Sequence, residues 1–237
     1  MATPNVFEEI LDRAGIERGA VNEVPVISNC PKCGFEMRAN AACERCATAE
    51  RNAGRVESAL RGAGKWFRKL RFDGEGDEDV SKVVRAPEAF ALGKTHYAAA
   101  RLVLRGETGV GKTSLAVAML RARIEKSGEV AAFISCRELA IARAKFEESD
   151  PRLVSRALSC DVLVLDDLAN GRDIPSSPIE DIIAERHKNG SATWVTTYRD
   201  YKALAGLMGG DIARRVYERA FIIDCNPRKG AEACPDS

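Results

Sequence analysis

Histidine is almost missing from this 237-residue sequence, which contains only His96 and His187. So small a supply argues against a histidine-built metal centre and against Ser-His-Asp catalysis. No apolar run approaches the ~20 residues that a membrane-spanning helix needs. The N-terminus, MATPNVFEEILDR, has neither the basic start nor the long apolar stretch of a secretory signal. An excess of charge is lacking too. Lys and Arg number 36 against 35 Asp and Glu, a net +1 that does not advertise nucleic acid. Internal repeats are also missing. What is there, 45% hydrophobic and 30% charged residues, excludes wholesale disorder. The length suits one α/β domain plus a smaller module, and the composition suits a soluble cytoplasmic protein. Arginine supplies 25 of the 36 basic residues, and its planar fork suits phosphate.

Cysteine is concentrated near the start. CPKC (Cys30, Cys33) and CERC (Cys43, Cys46) form C-x2-C-x9-C-x2-C, a spacing that suits tetrahedral Zn²⁺ held by four thiolates. Four thiolates leave no open coordination position, so the metal is expected to be structural. An Fe–S cluster or free thiols are the competing readings. Cys136, Cys160, Cys225 and Cys234 show no ligand spacing. Before the module, Val6, Phe7, Ile10 and Leu11 suggest a short amphipathic helix, followed by extended VNEVPVIS. After it, residues 47–72 look helical and basic, with seven Lys/Arg against two Glu. This stretch ends in KWFRKLRF, which admits two readings. Its aromatics stack single-stranded bases while the cations meet phosphate, or Trp66, Phe67 and Leu70 dock on a core or a partner. DGEGDEDVS, residues 73–81, then looks like an acidic linker. The domains expected are therefore an N-terminal domain over 1–80 with its cysteine module at 30–46, a core over 82–226 and a loose tail over 227–237.

Beyond the linker, short β-type runs alternate with helical segments, the pattern of a parallel sheet with crossover helices. Strands are predicted at Leu102–Leu104, Val130–Ile134, Val162–Leu165, Thr193–Thr197 and Phe221–Ile223. Capping boxes are expected at Ser135-x-x-Glu138 and Ser177-x-x-Glu180, the latter with Pro178 at the first helical position. GETGVGKT, Gly106 to Thr113, is a full G-x4-G-K-T between a strand and a helix. Gly106, Glu107, Thr108, Gly109, Val110 and Gly111 would wrap phosphates with backbone N–H groups. Lys112 would reach the β/γ-phosphates, Thr113 would coordinate Mg²⁺, and Ser114 would sit beside the α-phosphate. CDVLVLDD ends a buried strand in Asp166, expected to hold Mg²⁺ through water, and Asp167, expected to polarise the attacking water. Thr196 and Thr197 end the next strand, where they either face the γ-phosphate or serve as ordinary strand residues. Arg214, Arg215 and Arg219 lie before the last strand. A neighbouring subunit would use such an arginine on the transferring phosphoryl group; the alternative is a solvated helix face.

GETGVGKTSLA, FISCRELA, ALSCDVLVLDDLA, IIAERHKNG, WVTTYRD and GGDIARRVYERA occur here in the order found in the DnaC/DnaI helicase loaders of the AAA+ superfamily. IstB-type transposition ATPases share that core, and the resemblance covers about residues 86–226. It implies an αβα core with a five-stranded parallel sheet, little or no helical lid, and a zinc-binding module ahead of the core. The implied activity is ATP-dependent loading of a hexameric replicative helicase onto single-stranded DNA in a bacterial or phage-infected cell. ATP or ADP, Mg²⁺ and Zn²⁺ are the implied cofactors, and self-association into an oligomer or spiral is implied as well. Arg215 aligns with the arginine finger, Arg214 being the fallback. A transposition helper and a nucleotide-switched adaptor with little hydrolysis are the alternatives. One position departs: where the family reads Thr-Thr-Asn or Thr-Ser-Asn, this chain has Thr196-Thr197-Tyr198, which puts γ-phosphate sensing in question.

Overall fold

The computed structural model describes residues 27–39, 41–139, 151–169 and 177–227. The expected N-terminal amphipathic helix and the far end of the tail lie outside them. The chain divides into two compact units, one ending at Ala47 and the other beginning at Thr48.

In the first unit, β1 (Ile27–Asn29) and β2 (Glu36–Arg38) pair antiparallel with Asn29 opposite Glu36. The hairpin turn is the first cysteine knuckle. Gly34 adopts φ +68° and donates its N–H to the Cys30 carbonyl at 2.8 Å. A left-handed φ is open to glycine without strain, which is why CPKC is followed by Gly. Helix α1 (Glu44–Ala59) starts between Cys43 and Cys46. Apart from Cys30, no described side chain from Ile27 to Ala47 is fully buried, so this unit has no hydrophobic core of its own among the described residues.

The second unit is built on a parallel sheet of five strands: β3 (Arg101–Arg105), β4 (Ala131–Ser135), β5 (Val162–Asp166), β6 (Ala192–Thr197) and β7 (Phe221–Asp224). Their order is β4-β5-β6-β3-β7. Each lies on a segment predicted from its run of apolar residues. In β3, β4 and β5 the run is nearly continuous because both faces are covered, and successive side chains point to opposite sides. Leu102, Leu104, Val162, Val164 and Trp194 join one buried cluster, while Val103, Leu163, Leu165 and Val195 join the other. Helices α2 (Pro87–His96) and α3 (Lys112–Ser127) cover the first face. The second face takes α4 (Pro151–Ser159), α5 (Ser177–Lys188), α6 (Tyr201–Met208) and α7 (Gly210–Tyr217).

Residues 48–81 differ from the sequence reading. The basic segment is not one helix over 47–72. Helix α1 stops at Ala59, and tight 3-10 turns follow at Leu60–Gly62 and Phe67–Lys69. The reason is contact with the sheet: a Cβ on Gly62 would lie 2.4 Å from the Phe133 carbonyl oxygen of β4. Val56, Leu60, Leu70 and Val80 are buried in the same cluster as α3, and Phe67 and Phe72 pack against it. The acidic stretch also carries two 3-10 turns, Gly76–Glu78 and Val80–Lys82. The compact division therefore falls after Ala47 and not near residue 80.

Buried Arg186 ties the second face together. Its guanidinium donates to the carbonyls of Ala157, Cys160 and Ala192 at 2.6–2.8 Å, joining the end of α4 to the starts of β5 and β6.

Candidate nucleotide site

The chain leaves β3 into the loop 106–111 and enters α3 at Lys112. Gly111 is doubly required here. Its φ is +96°, and a Cβ would meet the Val83 carbonyl oxygen at 2.8 Å and Val84 Cα at 2.9 Å. Asn226, just past β7, accepts from the Glu107 N–H at 2.8 Å and fixes the loop's first corner. The sequence reading missed this residue, since nothing local marks a strand-end asparagine as a partner of a loop 119 positions away.

Lys112 is only 7% exposed, and its ammonium donates to the carbonyls of Gly106 and Glu107 at 2.8 and 2.7 Å. Among the described residues it has no carboxylate partner. Its direct partners are neutral carbonyls and Asp166 acts on it only through space, which leaves the ammonium available to an anion. One residue on, the Thr113 hydroxyl donates to the Asp166 carboxylate at 3.0 and 3.2 Å. Thr196 donates to Asp166 at 2.6 Å from the next strand, and its own hydroxyl accepts from the Asp167 N–H at 2.9 Å. Burial pushes the Asp166 carboxyl up to about 6 against the stabilising hydroxyls, and the neighbouring charge of Asp167 acts in the same direction. A hydroxyl and a buried carboxylate side by side are hard oxygen donors of the kind Mg²⁺ takes along with water and phosphate. When bound there, Mg²⁺ would supply charge neutralisation.

Asp167 follows with φ +59°, a left-handed conformation that Asp tolerates better than most residues. Its side chain is half-buried. The Thr197 hydroxyl, which the sequence left open between the γ-phosphate and an ordinary strand role, donates to the Leu168 carbonyl at 2.9 Å and accepts from the Arg199 N–H at 3.1 Å. Tyr198 is exposed, with the Arg199 guanidinium 4.1 Å over its ring. Both line a polar cleft with Gly106, Glu107 and Asn226.

The two arginines of α7 are separated by their partners. Arg214 spends its charge locally, 2.9 Å from Glu218 at the helix end and 3.7 Å from Asp211 in its first turn. Arg215 has no carboxylate partner among the described residues and lines a small cavity with Arg101, His187 and Thr193. Arg101 and Thr193 stand opposite each other at the starts of β3 and β6, whereas the phosphate loop leaves the far end of β3. At about 3.3 Å per residue, the strand alone separates the two ends by about 13 Å.

In the first unit, the four cysteine sulfurs lie within 4.8 Å of one another, with Cys30–Cys46 at 3.7 Å and Cys33–Cys43 at 3.6 Å. A tetrahedron of sulfurs ~2.3 Å from zinc has edges of about 3.8 Å, so the donor set fits that ion. N–H groups of Cys33 and Lys32 stabilise the Cys30 thiolate and lower it to about 6. Crowding by the other sulfurs, Cys33 first, pushes the Cys46 thiol up to about 12.

Residues 81–198 match the family of IstB-like ATP binding proteins. The crystal structure of the DnaC helicase loader is 26% identical, with a TM-score of 0.56, over 68% of this chain and 99% of that one. The crystal structure of DnaI is 19% identical, with a TM-score of 0.53, over 68% of this chain and 92% of that one. The second likeness bears on the fold alone. No curated protein matches the sequence.

Proposed function

We propose that this chain, whose residues 81–198 match the IstB-like ATP binding family on an AAA+ core, is an ATP-dependent loader of a replicative helicase onto single-stranded DNA. The observation that carries the ATPase part is the cluster at the strand ends. Lys112 would counter the β/γ-phosphates, Thr113 and Asp166 would hold Mg²⁺, and Asp167 would take up the proton of the attacking water. Arg215 would act on the site of a neighbouring copy in a ring or spiral. Likeness to a helicase loader over nearly the whole of that chain supports the biological role. The cysteine module would hold structural zinc and grip the hexameric helicase in the cytoplasm.

A second reading rests on Thr197 and Tyr198. With the threonine hydroxyl engaged by backbone and no amide beside it, γ-phosphate sensing is weakened, which favours a nucleotide-switched adaptor with little hydrolysis. A transposition helper is the third, since the matching family is named for that branch.

The test mixes the full chain with a hexameric replicative helicase and a closed single-stranded DNA circle, scoring helicase bound to the circle and phosphate released. Loading that needs ATP and is lost in Lys112→Ala supports the proposal. Loading without phosphate release moves the chain to the adaptor reading. ATP-dependent assembly on duplex in preference to single strands moves it to the transposition reading.

A further inference from the structure

The stretch Leu60–Phe72 contains five basic residues and no acid. The structure sorts its two sequence readings side chain by side chain. Leu70 is buried, and Phe67 and Phe72 pack on the core. Trp66 does not dock: it is 47% exposed, whereas the other tryptophan, Trp194, is 0% exposed.

The exposed indole is held, not loose. Phe67 meets it edge-on, with ring centroids 5.1 Å apart at 74°. The turn closes through the Arg68 N–H on the Gly64 carbonyl and the Lys69 N–H on the Trp66 carbonyl, both at 3.2 Å. The Arg68 side chain works as a brace, donating to the Ala63 and Arg61 carbonyls at 2.8 and 2.6 Å. Arg121 of α3 donates to the Leu70 carbonyl at 3.2 Å and to the Arg68 carbonyl, fastening the turn to the helix that begins at the phosphate loop.

In a 3-10 turn, side chains three apart eclipse, so Trp66 and Lys69 share a face. Lys65, Lys69 and Arg61 are exposed and have no carboxylate partner among the described residues. A rigid aromatic face flanked by free cations, with no acid on the same stretch, complements an unpaired base between two phosphates. A docking site for an apolar or basic protein surface would leave those cations uncompensated.

We propose that the turn Lys65–Lys69 binds single-stranded nucleic acid, Trp66 stacking on a base while Lys65 and Lys69 pair with the adjoining phosphates. This rests on the reading that the chain binds single strands, and it gives that reading a contact outside the nucleotide site.

The probe is a labelled 20-mer of thymidine titrated into the full chain with Mg²⁺-ATP. Wild-type tryptophan emission should be quenched on binding, with Trp66 as the accessible reporter. Trp66→Phe, which leaves only Trp194, should lose the quench. Trp66→Ala should weaken affinity about ten- to a hundredfold and Trp66→Tyr should recover most of it. Lys65→Ala with Lys69→Ala should lower the steepness of the log affinity against log salt plot by about 1.4. Unchanged Trp194 emission and ATP affinity show that each variant is folded. If wild type binds the 20-mer and Trp66→Ala binds equally well, this proposal is overturned while the loader reading stands. It is overturned in the same way if Trp66→Ala keeps DNA affinity and loses only helicase capture. If wild type binds no single strand, both fall.

Discussion

Asp166 is costly to the empty protein, and under the proposed function it would hold Mg²⁺ in the loaded one. Its carboxyl is buried beside Asp167 and pushed up to about 6, from an ordinary value of 3.8. The folded state therefore holds a proton over a pH range in which the unfolded chain has released it. By linkage, stability of the nucleotide-free protein falls as pH rises from about 4 through about 6, and at pH 7.5 the cost is present in full. Two pH units correspond to about 3 kcal/mol at most. Asp166→Asn keeps an oxygen acceptor for Thr113 and Thr196 but removes the charge. It should raise the nucleotide-free unfolding free energy at pH 7.5 by up to about 3 kcal/mol, with the gain vanishing near pH 4. The same variant should lose Mg²⁺-dependent ATP binding, and wild type should lose it as pH drops below about 6. Denaturant melts at several pH values, beside nucleotide titrations, check both halves. Destabilisation of Asp166→Asn at pH 7.5 would show that the carboxylate is a net stabilising group.

At the scale of elements, apolar runs were the readable signal. All five strands of the sheet were visible in sequence, most plainly Val162–Leu165, which is buried on both faces, and least so the edge strand β7, where Ile222 is exposed. The phosphate loop was visible because Gly111 and Lys112 have few chemical substitutes there. The end of α1 was not, since it depends on Gly62 passing under Phe133, a contact 71 residues away in the chain. Asn226 and Arg186 were missed for the same reason: each acts on backbone that is close only after folding. The β1–β2 hairpin was legible through its cysteines and the extended VNEVPVIS before them, and its exposed side chains supply no core. The proposed zinc would then supply much of its stability, as in other small modules that fold only when loaded. Removing zinc with a chelator should abolish amide protection over residues 27–39 while leaving ATP affinity of the second unit unchanged. Hydrogen exchange measured together with nucleotide binding tests this. Retained protection in a metal-free sample would overturn it.

At the scale of the molecule, a parallel sheet places every strand's C-terminal end on one edge, where β3 and β5 deliver Lys112 and Asp166 together. Arg215 stands at the other edge, beside Arg101 and Thr193, and cannot reach the Lys112 site of its own subunit. It also lacks the nearby carboxylates that neutralise Arg214. Under the proposed function, this uncommitted arginine would complete the site of a neighbouring copy, not its own. Arg215→Ala should therefore leave ATP binding by the monomer nearly intact and cut assembly-dependent hydrolysis about 10³-fold or more. Arg214→Ala should have little effect, since it removes only exposed ion pairs worth under about 1 kcal/mol. Mixing separates a missing finger from a damaged fold. Arg215→Ala subunits retain a good phosphate loop, and Lys112→Ala subunits retain a good finger. In a mixed assembly some interfaces contain both intact parts, so hydrolysis should partly return when the two inactive variants are combined. No return on mixing, with both variants folded and assembling, would remove Arg215 from the shared site.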